Sequence, residues 1–180
     1  MVISIILLLI LLVVYVVSSY YSEKLSFLEV VDAGPVVHHT KKSNANIKIK
    51  PLTSHDCIYT KSGKRVNLSG FHQFAVIGEC MQVKEIEEGN IVLVKKFDNK
   101  ETKKDLLKPQ DVLVICLNDK KYKGYKIRVF EGFDKDGSLK TFCYNADGSL
   151  HNSSKNHQID QIIGVVKFVV DMNKMKSTIN

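Results

Sequence analysis

None of the first 21 residues, Met1 to Tyr21, carries a charged side chain. No Lys or Arg precedes the apolar run VISIILLLILLVVYVV, and no Ala-x-Ala site follows it, which argues against a cleaved signal peptide. Val17-Ser18-Ser19 offers that rival only a weak cleavage site. About 20 apolar residues let a helix cross a bilayer. Ser18, Ser19, Tyr20 and Tyr21 then fall at the interface, where tyrosines are enriched. Residues 1–21 therefore read as a single transmembrane helix. Lys24, Lys41 and Lys42 follow the run and no basic side chain precedes it, so the Lys/Arg bias places the rest of the chain in the cytoplasm.

Other absences narrow the chemistry. The four cysteines, Cys57, Cys80, Cys116 and Cys143, form no CxxC pair, which excludes the usual zinc spacing. They read as free thiols in a reducing compartment; two disulfides become possible only if the domain faces outside. His38-His39 has no spaced partners, so no metal site is expected, and no other cofactor is implied. No internal repeat is present. The lysines between Lys95 and Lys126 are interleaved with Asp98, Glu101, Asp105, Asp111 and Asp119, with few aromatics among them. With a net charge of +7, that pattern fits a solvated loop or an anionic lipid surface better than a nucleic-acid groove.

What is present divides the chain in four. After the helix, residues 22–50 read as a stalk. SEKLSFLEVV would extend the helix by a turn or two, and Asp32-Ala33-Gly34-Pro35 breaks it. Residues 51–172 hold short strand-like runs: DCIYT and RVNL about a Lys61-Ser62-Gly63-Lys64 turn, then FHQFAVIG, NIVLVKKF, DVLVICL, YKIRVFEGF, SLKTFCYN and IIGVVKFVV. Asp136-Gly137 and Asp147-Gly148 are hairpin turn signals. ETKKDLLK is the one short helix candidate, stopped by Pro109. Residues 173–180 form a tail. The expected fold is mainly β, a curled sheet or partial barrel, preceded by one N-terminal transmembrane helix.

Cys80 follows a strand-like run that ends at Gly78, so it stands where a turn can present a nucleophile. The backbone N–H groups of Cys80 and Met81 could then form an oxyanion hole. In GYKIRVF, alternation puts Tyr125, Ile127 and Val129 on one face and Lys126, Arg128 and Phe130 on the other. A lysine serving as base must be buried so that desolvation favours its neutral form. On pattern alone, a core cysteine and a solvent-facing Lys126 are the simpler reading.

A series of motifs favours chemistry. Gly78-Glu79-Cys80-Met81 followed by Glu88-Gly89-Asn90-Ile91-Val92-Leu93-Val94 resembles the "G-x-S-M … G-D-x-x-x-V" pattern of LexA/UmuD-type self-cleaving proteins, which share a catalytic core with type I signal peptidases. Pro109-Gln110-Asp111-Val112-Leu113-Val114 resembles the next "G-D-x-V" strand, Tyr125-Lys126-Ile127-Arg128-Val129 the lysine strand, and Ile163-Gly164-Val165-Val166 the closing strand. The resemblance runs from about Phe71 to Val170. It implies a LexA/signal-peptidase fold with Cys80 at the serine position and Lys126 at the lysine position. It also implies cleavage at an Ala-Gly bond, here Ala33-Gly34, so the expected partner is a peptide segment, its own linker or a substrate protein. A homodimer is possible.

Three departures stand out. The serine is Cys80. The two "G-D" pairs are Gly89-Asn90 and Gln110-Asp111, and Ile127 intervenes in the usual Lys-Arg pair. Separately from these three, Gln82-Val83 lacks the proline of the signal-peptidase branch, which favours the LexA-type branch. A thiol is partly ionised near neutral pH and needs less help from a base. The expectation is thus a membrane-anchored protease or self-cleaving switch with a Cys–Lys dyad. The alternative is a catalytically silent β domain on a membrane anchor that binds a ligand or partner.

Overall fold

Among the described residues, runs of β-branched and aromatic residues form eight strands. They are β1 (Glu29–Asp32), β2 (Phe71–Ile77), β3 (Ile91–Lys96), β4 (Val112–Asn118), β5 (Lys123–Phe133), β6 (Leu139–Tyr144), β7 (Leu150–Asn152) and β8 (Ile162–Val170). The computed structural model describes residues 10–15, 28–33, 49–53, 56, 58–59, 64–97, 102–118, 123–145, 147–152 and 157–172. Gly34 of the expected cleavage site, His38-His39, Cys57, most of the Lys61–Lys64 turn and the 173–180 tail lie outside the described residues.

The fold is mainly β. The strands follow the order β1-β2-β3-β8-β4-β5-β6-β7, and β1 also pairs with β5. That second pairing closes six strands into a barrel, where the sequence suggested a curled sheet or partial barrel. The closing strand comes from the segment expected to be stalk. Val30 and Val31 are β-branched, and the edges of β2 and β5 satisfy the backbone of β1 on both sides, so Glu29–Asp32 is strand rather than a continued helix. β5 is long enough to serve two neighbours. Its first half meets β1 and its second half meets β6, with a register shift between Phe130 and Gly132.

One apolar cluster draws on all six barrel strands, with Val31, Val76, Val92, Val114 and Ile127 buried in it and Val166 packed against it. A second, with Leu113, Ile115, Phe130 and Ile162, lies over β4, β5 and β8. A third joins Ile91 and Leu93 to Leu52 and Val66. Each fully buried aliphatic side chain contributes about 1.5–3 kcal/mol.

The turns follow their sequence signals. In the β5–β6 and β6–β7 hairpins, Gly137 and Gly148 take φ of 81° and 80°. Before each, an aspartate carboxylate (Asp136 or Asp147) accepts from the backbone and hydroxyl of the serine two residues on. A short helix, Thr102–Leu106, ends ahead of Pro109. Around the expected Lys61–Lys64 turn, Tyr59 and Arg65 form a β-bridge.

Residues 10–15 are helical, and Ile10, Leu11, Leu12, Val13 and Val14 are all exposed. The rest of residues 1–21 lies outside the described residues. Among the described residues no helix is long and apolar enough to cross a membrane.

Candidate active site

Gly78 ends β2 at φ 84°, a left-handed conformation that glycine adopts without steric cost, and this throws Glu79, Cys80 and Met81 into a tight turn. Its N–H donates to the Glu88 carboxylate at 3.1 Å. Met81 and Ile86 anchor the turn by burying their side chains in the barrel cluster. The Met81 carbonyl accepts from the Lys84 and Ile86 N–H groups. Gly89, also left-handed at φ 85°, returns the chain to β3, and the buried Asn90 carboxamide oxygen accepts from the Glu87 N–H at 3.0 Å. Asparagine thus does at this position what an aspartate acceptor would do.

The outcome is a half-buried Cys80 on a fixed turn. Among the described residues, no hydrogen bond is donated by the backbone N–H of Cys80 or Met81. Unspent donors on a rigid turn suit an oxyanion hole.

Lys126 does not face water. It is 0% exposed and Arg128 is 1% exposed, while Ile127 between them packs with Val114 and Val129. Lys126 and Arg128 therefore share one buried face. Nζ of Lys126 donates to Oδ2 of Asp32 at 2.5 Å, and Asp32 is itself buried. The Arg128 guanidinium donates to the Ile127 carbonyl.

Asp32 reaches Lys126 because β1 runs parallel to both neighbours, with Asp32 opposite Ile77 on β2 and opposite Lys126 on β5. The next N–H, that of Ala33, donates to the Ile77 carbonyl at 2.9 Å, and Ala33 is fully buried. The amino-terminal half of the expected cleavage site is thus docked beside the last residue of β2, three residues ahead of Cys80.

Charges in this pocket act on one another. Burial lowers the Lys126 amine below its ordinary value; the hydrogen bond and charge of Asp32 pull it back up, and Arg128 pushes it down. The Cys80 thiol is raised by burial, then by Cys143 and Asp32, against the opposing pull of Arg128 and Lys126. Cys143, buried on β6, is raised by burial while Arg128 and Lys126 pull it down. These influences together favour the protonated form of the Cys80 thiol, and the Lys126 amine is among the groups whose charge it feels.

The raised thiols carry a pH signature. A thiol whose folded value exceeds its unfolded value contributes stability that is complete below about pH 8.5 and is lost as pH rises through the folded value. Cys143→Ala removes one such group. Its thermal midpoint should fall less steeply than that of the wild type above about pH 8.5. Parallel slopes in differential scanning calorimetry would contradict the burial of a protonated Cys143.

The second motif departure also has a local reason. Gln110 sits at φ 75°, the conformation for which glycine is favoured, and its N–H donates to the Phe130 carbonyl. The Gln110 carboxamide oxygen accepts from Lys84 Nζ at 3.0 Å, which ties the Cys80 turn to the start of β4.

The sequence singled out Cys80, Met81, Lys126 and Ala33, and the structure brings their elements to one end of the β2–β1–β5 strip. It did not single out Asp32, Arg128 or Cys143. The available signal was a lone acid in the run Val30-Val31-Asp32-Ala33. A hollow of about 620 Å³ lined by Leu52, Asp56, Arg65, Asn67 and Gln73 lies elsewhere and includes none of these residues. Among the described residues, no group of three or more His, Cys, Asp or Glu side chains is placed to hold a metal. The chain matches no protein-family model and no curated protein sequence.

Proposed function

We propose that the protein is a LexA/signal-peptidase-like peptidase, membrane-anchored through residues 1–21, that cuts its own chain at Ala33-Gly34. One observation carries the reading: the strand leading into Ala33 is docked between β2 and β5, beside the Cys80 turn and a fully buried lysine. In this reading Cys80 Sγ gives its proton to Lys126 Nζ and attacks the Ala33 carbonyl carbon. The N–H groups of Cys80 and Met81 hold the oxyanion. The Lys126 ammonium returns the proton to the Gly34 nitrogen as the peptide bond breaks, and water then hydrolyses the Ala33 thioester. The exposed apolar helix at residues 10–15 is compatible with a membrane anchor. Expression of the full chain should yield a slowly accumulating fragment beginning at Gly34, absent in Cys80→Ala and in Lys126→Met. Identical fragments in all three would exclude Cys80 chemistry.

A second reading is a catalytically silent domain that uses the same groove to bind a peptide or partner. The raised Cys80 thiol and the engagement of Lys126 by Asp32 favour it. Peptide capture without cleavage is its expected signature.

A further inference from the structure

We propose that β1 is the domain's own bound peptide and that its Asp32 carboxylate latches the site by engaging the Lys126 ammonium. The inference rests on the reading of Cys80 and Lys126 as the reacting pair and adds how that pair is held off.

β1 behaves as an occupant of a groove. It has four residues, and it pairs in parallel with both neighbours, so no hairpin commits it to either. Without it, β2 and β5 would be two open edges, which readily accept an added extended strand. The groove reads its occupant by side chain. Val31 and Ala33 enter the apolar cluster, while Asp32 turns to the opposite face and meets Lys126. The chemistry it selects is therefore an extended peptide with an acid between an apolar and a small residue.

The latch follows from proton counting. An amine that takes the Cys80 proton needs a lone pair on Nζ. An ammonium bonded to a carboxylate has none, and its charge is already balanced. Among the described residues, the groups that act on Nζ include Asp32 from β1, Arg128 from β5, Cys143 from β6 and Cys80 from the turn after β2. Asp32 is the acid bonded to Nζ, so neutralising it removes that counter-charge and one source of the raised thiol.

The test is alkylation of the full chain by iodoacetamide at neutral pH, mapped by mass spectrometry with Cys116 as the internal reference. In the wild type, Cys80 should label no faster than Cys116. A wild-type Cys80 more than about tenfold faster overturns the latch without any variant. Asp32→Asn should speed Cys80 by about tenfold, the effect of one pKa unit, while Asp32→Glu stays near the wild type. An Asn variant with an unchanged thermal midpoint and an unchanged Cys80 rate overturns the proposal. Faster labelling with no fragment at Gly34 supports the latch and removes the peptidase reading. Cleavage at equal rates in wild type and Asp32→Asn, with equal labelling, keeps the peptidase and removes the latch.

Discussion

Lys126→Ala will destabilise the domain by about 3–5 kcal/mol, the usual cost of breaking a buried ion pair by removing one partner. Asp32 is 2% exposed, so its charge is held in a buried setting that the Lys126 ammonium helps to balance. The loss comes from leaving a buried carboxylate without this cation more than from the value of the pair. Replacing both partners together, as Asp32→Leu with Lys126→Met, should therefore recover most of it, because apolar side chains of similar volume often match or exceed a buried pair. The measurement is a double-mutant cycle by urea unfolding. Single-variant losses that simply add in the double variant would mean that the two groups are not coupled. A recovered double variant also separates stability from chemistry: it should fold and produce no Gly34 fragment.

Gly164→Ala should be comparably severe for a different reason. On β8, Gly164 pairs with Lys96 of β3 on one side and Val114 of β4 on the other. A Cβ there would lie 2.2 Å from the Lys95 carbonyl oxygen and 2.8 Å from its carbon. Backbone cannot rotate away as a side-chain tip can, so the strands must separate or the ladder must shift. Overpacking of this kind costs about 1–3 kcal/mol and occasionally more, and this clash belongs at the upper end. Gly132→Ala is the control, since nothing lies within 4 Å of its added Cβ. It should change the urea midpoint by less than about 0.5 kcal/mol equivalent. A Gly164→Ala domain as stable as the control would contradict the β3–β8 register.

Much of the fold was legible because alternation and turn chemistry are local. The runs now called β2 to β6 and β8 announced themselves by β-branched and aromatic content, and Asp136-Gly137 and Asp147-Gly148 marked their hairpins. β1 was not legible. Four residues give no usable period, and what makes Glu29–Asp32 a strand is a pair of edges 45 and 94 residues further along the chain. The same limit hid the site's main charge. On pattern alone Lys126 read more simply as solvent-facing, because alternation separates two faces without saying which of them is wet. Its partner Asp32 is 94 residues away, and only the parallel register brings the two together. The motif resemblance located Cys80 and Lys126 by order along the chain, and order carries no information about an acid contributed from upstream.

The position of β1 relative to Ala33-Gly34 has a consequence for what cutting would accomplish. The whole strand lies on the amino-terminal side of that bond. A cut would sever the chain yet leave β1 in the barrel wall, still paired to β2 and β5. The domain would stay tethered to its own leader by strand pairing alone, a split barrel whose halves part at a rate set by dissociation. Breaking the covalent link lowers the effective concentration of β1 from roughly the millimolar range of a short tether to its bulk value. Release would then be a slow second step, separable in time from the cut.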